Sequence, residues 1–207
     1  MRGKFITFEG CEGSGKSTQL RFLGEYLKET GVDFIMTREP GGSPIAEDIR
    51  KIILNGNYTQ MCDECEALLY AAARIQHLKE VVEPALAAGK LVVCDRYVDS
   101  SFAYQGYARG LGADFIKNIN SYALEKCPPD LTVFLDISPK EAFARKHGAD
   151  LTDRMEKMGL EFHQKVYEGY KKLQKEYPRF VAVDCSGTKF ETADKIKKLL
   201  KGKTIIK

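Results

Sequence analysis

The sequence predicts an α/β fold in which five parallel strands form one sheet wrapped by helices on both faces. Apolar runs of six to eight residues alternate with longer stretches of helical pattern, the rhythm of successive βαβ units. The runs are nearly unbroken in Val, Ile, Leu and Phe, as strands buried on both faces are. A glycine-rich loop joins the first run to the first helical stretch, where sheets of this kind bind ligands.

Taken in order, KFITFE (4–9) is the first strand, and the loop GCEGSGKS (10–17) leads into a helix over 16–30 with Gly31 at its C-terminal cap. VDFIMT (32–37) is the second strand, followed by TREPGG (37–42) and a helix over 44–55. A long helical stretch over 63–88 is capped by Gly89, and KLVVCD (90–95) forms the third strand. Helices over 98–108 and 113–126 precede the fourth strand, DLTVFLDI (130–137). Helices over 139–147 and 159–177 lead to RFVAVDC (179–185) and a last helix over 189–201. GADLTDRMEKMG (148–159) is polar with two glycines, so a mobile flap is expected over about 139–158. No repeat, low-complexity tract or linker divides the chain, and residues 1–207 read as one domain.

Composition bounds the function. With 43% hydrophobic residues over 207 positions, the chain can bury a real core. The 32 basic and 29 acidic residues leave a net charge of only +3, which excludes a broad nucleic-acid footprint and confines functional charge to local clusters. No apolar run reaches the ~18 residues of a membrane helix and no signal-type segment opens the chain, so a cytoplasmic protein is expected. Cysteines at 11, 62, 65, 94, 127 and 185 are scattered as reduced thiols are. Cys62 and Cys65 have the spacing of half a zinc site, but no second pair completes it.

The loop carries the chemistry. GCEGSGKS fits G-x-x-x-x-G-K-[ST] between a strand and a helix, which makes it a triphosphate cradle formed by residues 10–18. Gly10, Gly13 and Gly15 let the backbone turn so that N–H groups, including those of Cys11, Glu12, Ser14 and Thr18, converge on phosphate. Lys16 is expected to reach the β and γ phosphates, and the Ser17 hydroxyl to hold Mg²⁺. Arg38 and Arg96 stand just beyond the second and third strands, where two guanidinium forks suit the phosphate of an acceptor. Asp95, at the tip of the third strand, is placed to support the Mg²⁺ shell.

TREPGG (37–42), LLYAAARIQH (68–77) and DRYVDSSFAYQGYARG (95–110) resemble three segments of the thymidylate kinases, and the likeness extends to DRME (153–156). This resemblance implies a P-loop nucleoside monophosphate kinase fold, ATP as donor, dTMP as acceptor, Mg²⁺ and a homodimer. It assigns Arg38 and Arg96 to the dTMP phosphate, Tyr70 to the thymine ring and Arg74, one turn further on, to the base edge. Positions i and i+4 share a helix face, so ring and guanidinium meet one base. Ser101 and Gln105 complete the base contacts, and Tyr104 crowds the place of a 2′-hydroxyl. Glu12, a carboxylate inside a phosphate cradle, is expected to face the acceptor and take a hydrogen bond from its 3′-hydroxyl.

Some members of that family place an arginine directly after the acidic loop residue. Here Gly13 follows Glu12, so the cation for the transferring phosphoryl group is expected from the flap, from Arg145, Lys146 or Arg154. Three alternatives stand beside this reading. A nucleotide switch is weakened because DCSG (184–187) follows the last strand and no N-K-x-D motif occurs. A deoxynucleoside kinase, or a monophosphate kinase for another base, shares most of these features.

Overall fold

The computed structural model describes residues 2–146, 154, 155 and 158–206, without the side chain of Lys146. Five strands, β1 (Phe5–Glu9), β2 (Phe34–Arg38), β3 (Leu91–Asp95), β4 (Leu131–Asp136) and β5 (Phe180–Asp184), form one parallel sheet in the order β2-β3-β1-β4-β5. The chain leaves β1 toward β2 on one side and leaves β4 toward β5 on the other. The carboxyl end of β1 therefore borders the switch in direction, where a crevice opens above the sheet.

Alternation along β1 shows how the sheet separates two cores. Phe5 packs on one face with Phe102, Phe134, Phe162 and Tyr170, while Ile6 and Phe8 pack on the other with Leu20, Leu23 and Leu27. The polar Thr7 is buried on the first face, where its hydroxyl meets that of Thr132 at 2.9 Å. By the same alternation Glu9 faces that side, beneath the crevice.

The helices are α1 (Lys16–Glu29), α2 (Pro44–Leu54), α3 (Asp63–His77), α4 (Glu83–Ala87), α5 (Val98–Ser101), α6 (Ala113–Ile119), α7 (Ser121–Lys126), α8 (Pro139–Lys146), α9 (Leu160–Glu176) and α10 (Lys189–Gly202). Gly31 and Gly89, just beyond α1 and α4, have φ of 69° and 83°. Thr188 caps α10 reciprocally with Glu191.

Three details depart from the sequence reading. Burial is complete for β1 and, up to the final aspartates, for β3 and β4, but β2 and β5 are partly exposed because they form the two edges. The stretches 63–88 and 98–108 contain π-helical segments at Leu78–Val82 and Phe102–Ala108. The stretch 113–126 breaks at Asn120, whose side-chain amide donates to the Ile116 carbonyl at 2.9 Å and so competes with the helical ladder. Residues 147–153, 156 and 157 of the expected flap lie outside the described residues.

Candidate active site

A cleft of about 520 Å³ opens at the carboxyl ends of the strands. Residues 12–18 line one end of it, and Arg38, Tyr70, Arg74, Asp95, Arg96, Ser101, Tyr104, Gln105 and Arg145 line the rest. Gly10 and Cys11 lie buried beneath the loop. Gly10, Gly13 and Gly15 have φ of 154°, 78° and 93°, and Gly15 caps the N-terminus of α1. A Cβ at Gly13 would lie 2.6 Å from the Ala142 carbonyl oxygen of α8, so the loop needs glycine there both for its turn and for that contact.

Lys16 is buried and bends back over its own loop, donating to the carbonyls of Gly10 at 3.0 Å and Cys11 at 3.3 Å. Burial lowers the pKa of its amine, and the neighbouring Arg96 charge acts the same way. Two buried oxygens by the cradle, Ser14 Oγ and Asp95 Oδ1, have no hydrogen-bond partner among the described residues. The exposed Ser17 lines an adjoining hollow together with Asp95. Mg²⁺ takes oxygen ligands and commonly keeps several waters beside one or two carboxylates and phosphates, so this sparse donor set fits it. Among the described residues no cluster of three or more His, Cys, Asp or Glu forms a closed metal site, and Cys62 and Cys65 are exposed free thiols.

Arg96 adopts φ 67°, outside the usual range for a side-chain-bearing residue, in the turn that follows β3. Its Nη2 meets Glu12 Oε1 at 2.5 Å, while Nη1 donates to the hydroxyls of Ser100 at 3.2 Å and Tyr170 at 3.3 Å. Both hydroxyls in turn donate to Glu9 Oε2, at 2.6 and 2.8 Å, and the amides of Tyr97 and Ser100 donate to Glu9 Oε1. Glu9 thus anchors the turn that presents Arg96. Its wholly buried carboxyl has a pKa raised to about 7 by burial and then by Asp99.

Toward the far end, Arg74 is 2% exposed. Its Nε donates to Glu39 at 2.7 Å, and Nη1 donates to Ser101 at 3.1 Å and to Asn120 at 2.5 Å. His77 joins the other Glu39 oxygen at 3.0 Å. Tyr70 lines the cleft one turn before Arg74, and Tyr104 is buried with the Arg96 guanidinium 5.2 Å from its ring centroid.

The expected cations are placed unevenly. Arg38 lines the cleft but forms an ion pair with Glu47 at 2.9 Å. Arg145 lines it near the loop and donates to the Ser186 carbonyl at 3.2 Å. Arg154 is held elsewhere: its guanidinium meets Glu66 at 2.5 Å and the Ile53 carbonyl at 3.1 Å. The Lys146 side chain lies outside the described residues. Sequence reasoning missed Glu9, Glu39, Arg50, Glu66, Ser100 and Tyr170, which line or brace the cleft. Their residue types alone give no signal, although Glu39 stands inside the TREPGG segment.

The thymidylate kinase family model matches residues 8–196. A thymidylate kinase of Geobacillus sp. (strain WCH70) is 50% identical over 189 residues, covering 90% of each chain. Another, of Bacillus velezensis, is 50% identical over 192 residues and 91% of each chain. That of Finegoldia magna is 44% identical over 202 residues, which cover 98% of this chain and all of its own. A glycine-rich loop ahead of α1, a guanidinium-rich cleft and matches over nearly the whole length agree: this chain belongs to the thymidylate kinase family.

Proposed function

We propose that the chain transfers the γ-phosphoryl group of ATP to the phosphate of dTMP, giving ADP and dTDP, with Mg²⁺. One observation carries this reading: a single cleft joins the triphosphate cradle to two arginine-bearing strand ends and to the Tyr70–Arg74 pair. A deoxynucleoside kinase needs a base beside a sugar hydroxyl, whereas this cleft offers guanidinium groups for an acceptor that already carries a phosphate.

In this reading Lys16 leaves the loop carbonyls and turns to the β and γ phosphates, whose charge offsets its burial. Arg96, braced by Ser100 and Tyr170, holds the acceptor phosphate in line, and Arg38 joins it by exchanging Glu47 for the ligand. Glu12, already facing Arg96, takes the 3′-hydroxyl. Arg145 on α8, the one of the two described flap arginines that lines the cleft, offsets charge on the transferring group. Asp95 and Ser17 would hold Mg²⁺, which would supply positive charge against the donor phosphates. Tyr104 fills the space a 2′-hydroxyl needs.

The side chains of Ile45 and Ile52 on α2, and of Leu68 and Ile75 on α3, are exposed at seven-residue spacing, an apolar face suited to a homodimer. Free thiols, four of them buried, suit the reducing cytoplasm, and no helix among the described residues is long and apolar enough to cross a membrane. The deciding experiment is an acceptor screen with ATP: thymidine, dTMP, dUMP, dCMP and AMP. Turnover of dTMP far above the others is the expected result, and preference for thymidine or AMP replaces this reading.

A further inference from the structure

Behind the base end of the cleft, in contact with Gln105, lies a buried carboxylate that phosphate chemistry does not require. Glu66, in the first turn of α3, is 0% exposed. Its Oε1 accepts from Gln105 Nε2 at 2.8 Å and from Arg109 Nε at 3.4 Å. Its Oε2 accepts from Arg109 Nη2 at 2.9 Å and Arg154 Nη2 at 2.5 Å. Both oxygens are occupied, and two guanidinium groups face this carboxylate, that of Arg109 also pairing with Asp63 at 3.3 Å.

This arrangement dictates the orientation of an amide. A carboxylate paired with two arginines only accepts hydrogen bonds, so the end of Gln105 that faces it must be the NH₂. The reverse orientation would set a carbonyl oxygen against a carboxylate oxygen in a buried site. The Gln105 backbone is fixed as well, because its carbonyl accepts from Leu111 N at 3.2 Å within the turn that closes the π-helical segment. Its side-chain Oε1 accepts from no described residue, and Gln105 lines the cleft with Tyr70, Arg74 and Ser101. Arg74, by contrast, can only donate.

We propose that Glu66 is a specificity-determining positioning residue. It locks the Gln105 amide with its carbonyl toward the cleft, so the site takes a pyrimidine that presents an N–H at N3 and rejects one whose N3 is a bare acceptor. The inference rests on the reading that the acceptor is a pyrimidine nucleotide with its base at this end. A thymine edge offers the N3 donor beside the O4 acceptor, which complements Gln105 Oε1 and Arg74. A cytosine edge reverses both. Glu66 therefore reads the base without touching it.

The test compares kcat/KM for dTMP and 5-methyl-dCMP, which have the same size and differ in this polarity. The unmodified chain should prefer dTMP by at least ~10³-fold, as sites that hydrogen-bond a substrate N–H do. Glu66→Gln gives Gln105 a neighbour that both donates and accepts, frees its amide to turn, and should cut the preference by ~10-fold or more. Gln105→Leu should cut it similarly, and adding Glu66→Gln to Gln105→Leu should leave the ratio where it is. A purely structural role for Glu66 predicts a further change in that double variant, with no special effect on the ratio in the single one. An unchanged ratio in Gln105→Leu overturns the proposal even if Glu66→Gln does not fold. Failure of the unmodified chain to phosphorylate dTMP overturns the functional reading and this inference with it. A dTMP preference that survives in the variants overturns this inference alone.

Discussion

At the loop end of the cleft, among the described residues, Lys16 donates to the carbonyls of its own loop, and Ser14 Oγ and Asp95 Oδ1 have no hydrogen-bond partner. At the base end, Arg74 is compensated by Glu39, and Glu66 by Arg109 and Arg154. On the proposed function, the ligand explains the contrast. Phosphates bring their own negative charge, so a cradle can leave its cation for them to neutralise. A nucleobase is neutral, so a buried guanidinium that reads it must be balanced by the protein itself. One end is completed by the ligand, the other before it arrives.

Substitutions at the two ends should therefore fail differently. Lys16→Ala should lower kcat by ~10³-fold or more while thermal unfolding shifts little, because the lysine serves the ligand's charge and not the core. Near-normal turnover would remove the cradle reading. Arg74→Met, at the other end, should lower stability by ~3–5 kcal/mol, since it leaves Glu39 buried without its guanidinium partner. Urea unfolding measures this, and a loss below ~1 kcal/mol would mean that the paired network is dispensable to the fold.

Glu9 lies between the two ends and sharpens the comparison through pH. Folding raises its pKa from 4.5 to about 7, first through burial, so the folded chain holds a proton that the unfolded chain has released. Stability should fall as pH rises through that window, by up to ~3 kcal/mol from this group, and level off above it. Glu9→Gln should flatten that part of the urea-midpoint profile; an identical slope in both proteins would show that Glu9 does not titrate there. The smallest effect is expected from Glu12→Ala, ~1–3 kcal/mol of acceptor binding, with Glu12→Gln retaining part of it. With 3′-deoxy-dTMP the penalty should shrink by ~0.5 kcal/mol or more. Equal penalties for the two acceptors would separate Glu12 from the 3′-hydroxyl.

What could be read before the structure was local. The strands and the cradle announce themselves within a few consecutive residues, through apolar runs and glycine spacing. Arg38 and Arg154 were legible as cations, but their partners, Glu47 and Glu66, were not, and a cation's role depends on its partner. Arg74 meets Glu39 across 35 positions and Tyr170 meets Glu9 across 161, separations that no periodicity encodes. The π-helical segment that carries Tyr104 and Gln105 was hidden too, since its residues fit an ordinary helix equally well.

The contact beneath Gly13 constrains how this chain can change over generations. An arginine at that position would have to displace the Ala142 carbonyl, only 2.6 Å from the nearest atom it would add, and would also sit at φ 78°. Moving Ala142 moves α8, and α8 carries Arg145. A loop-borne cation and a helix seated against the loop are therefore alternatives that one mutation cannot exchange. A lineage crossing between them would have to alter the loop and the helix together.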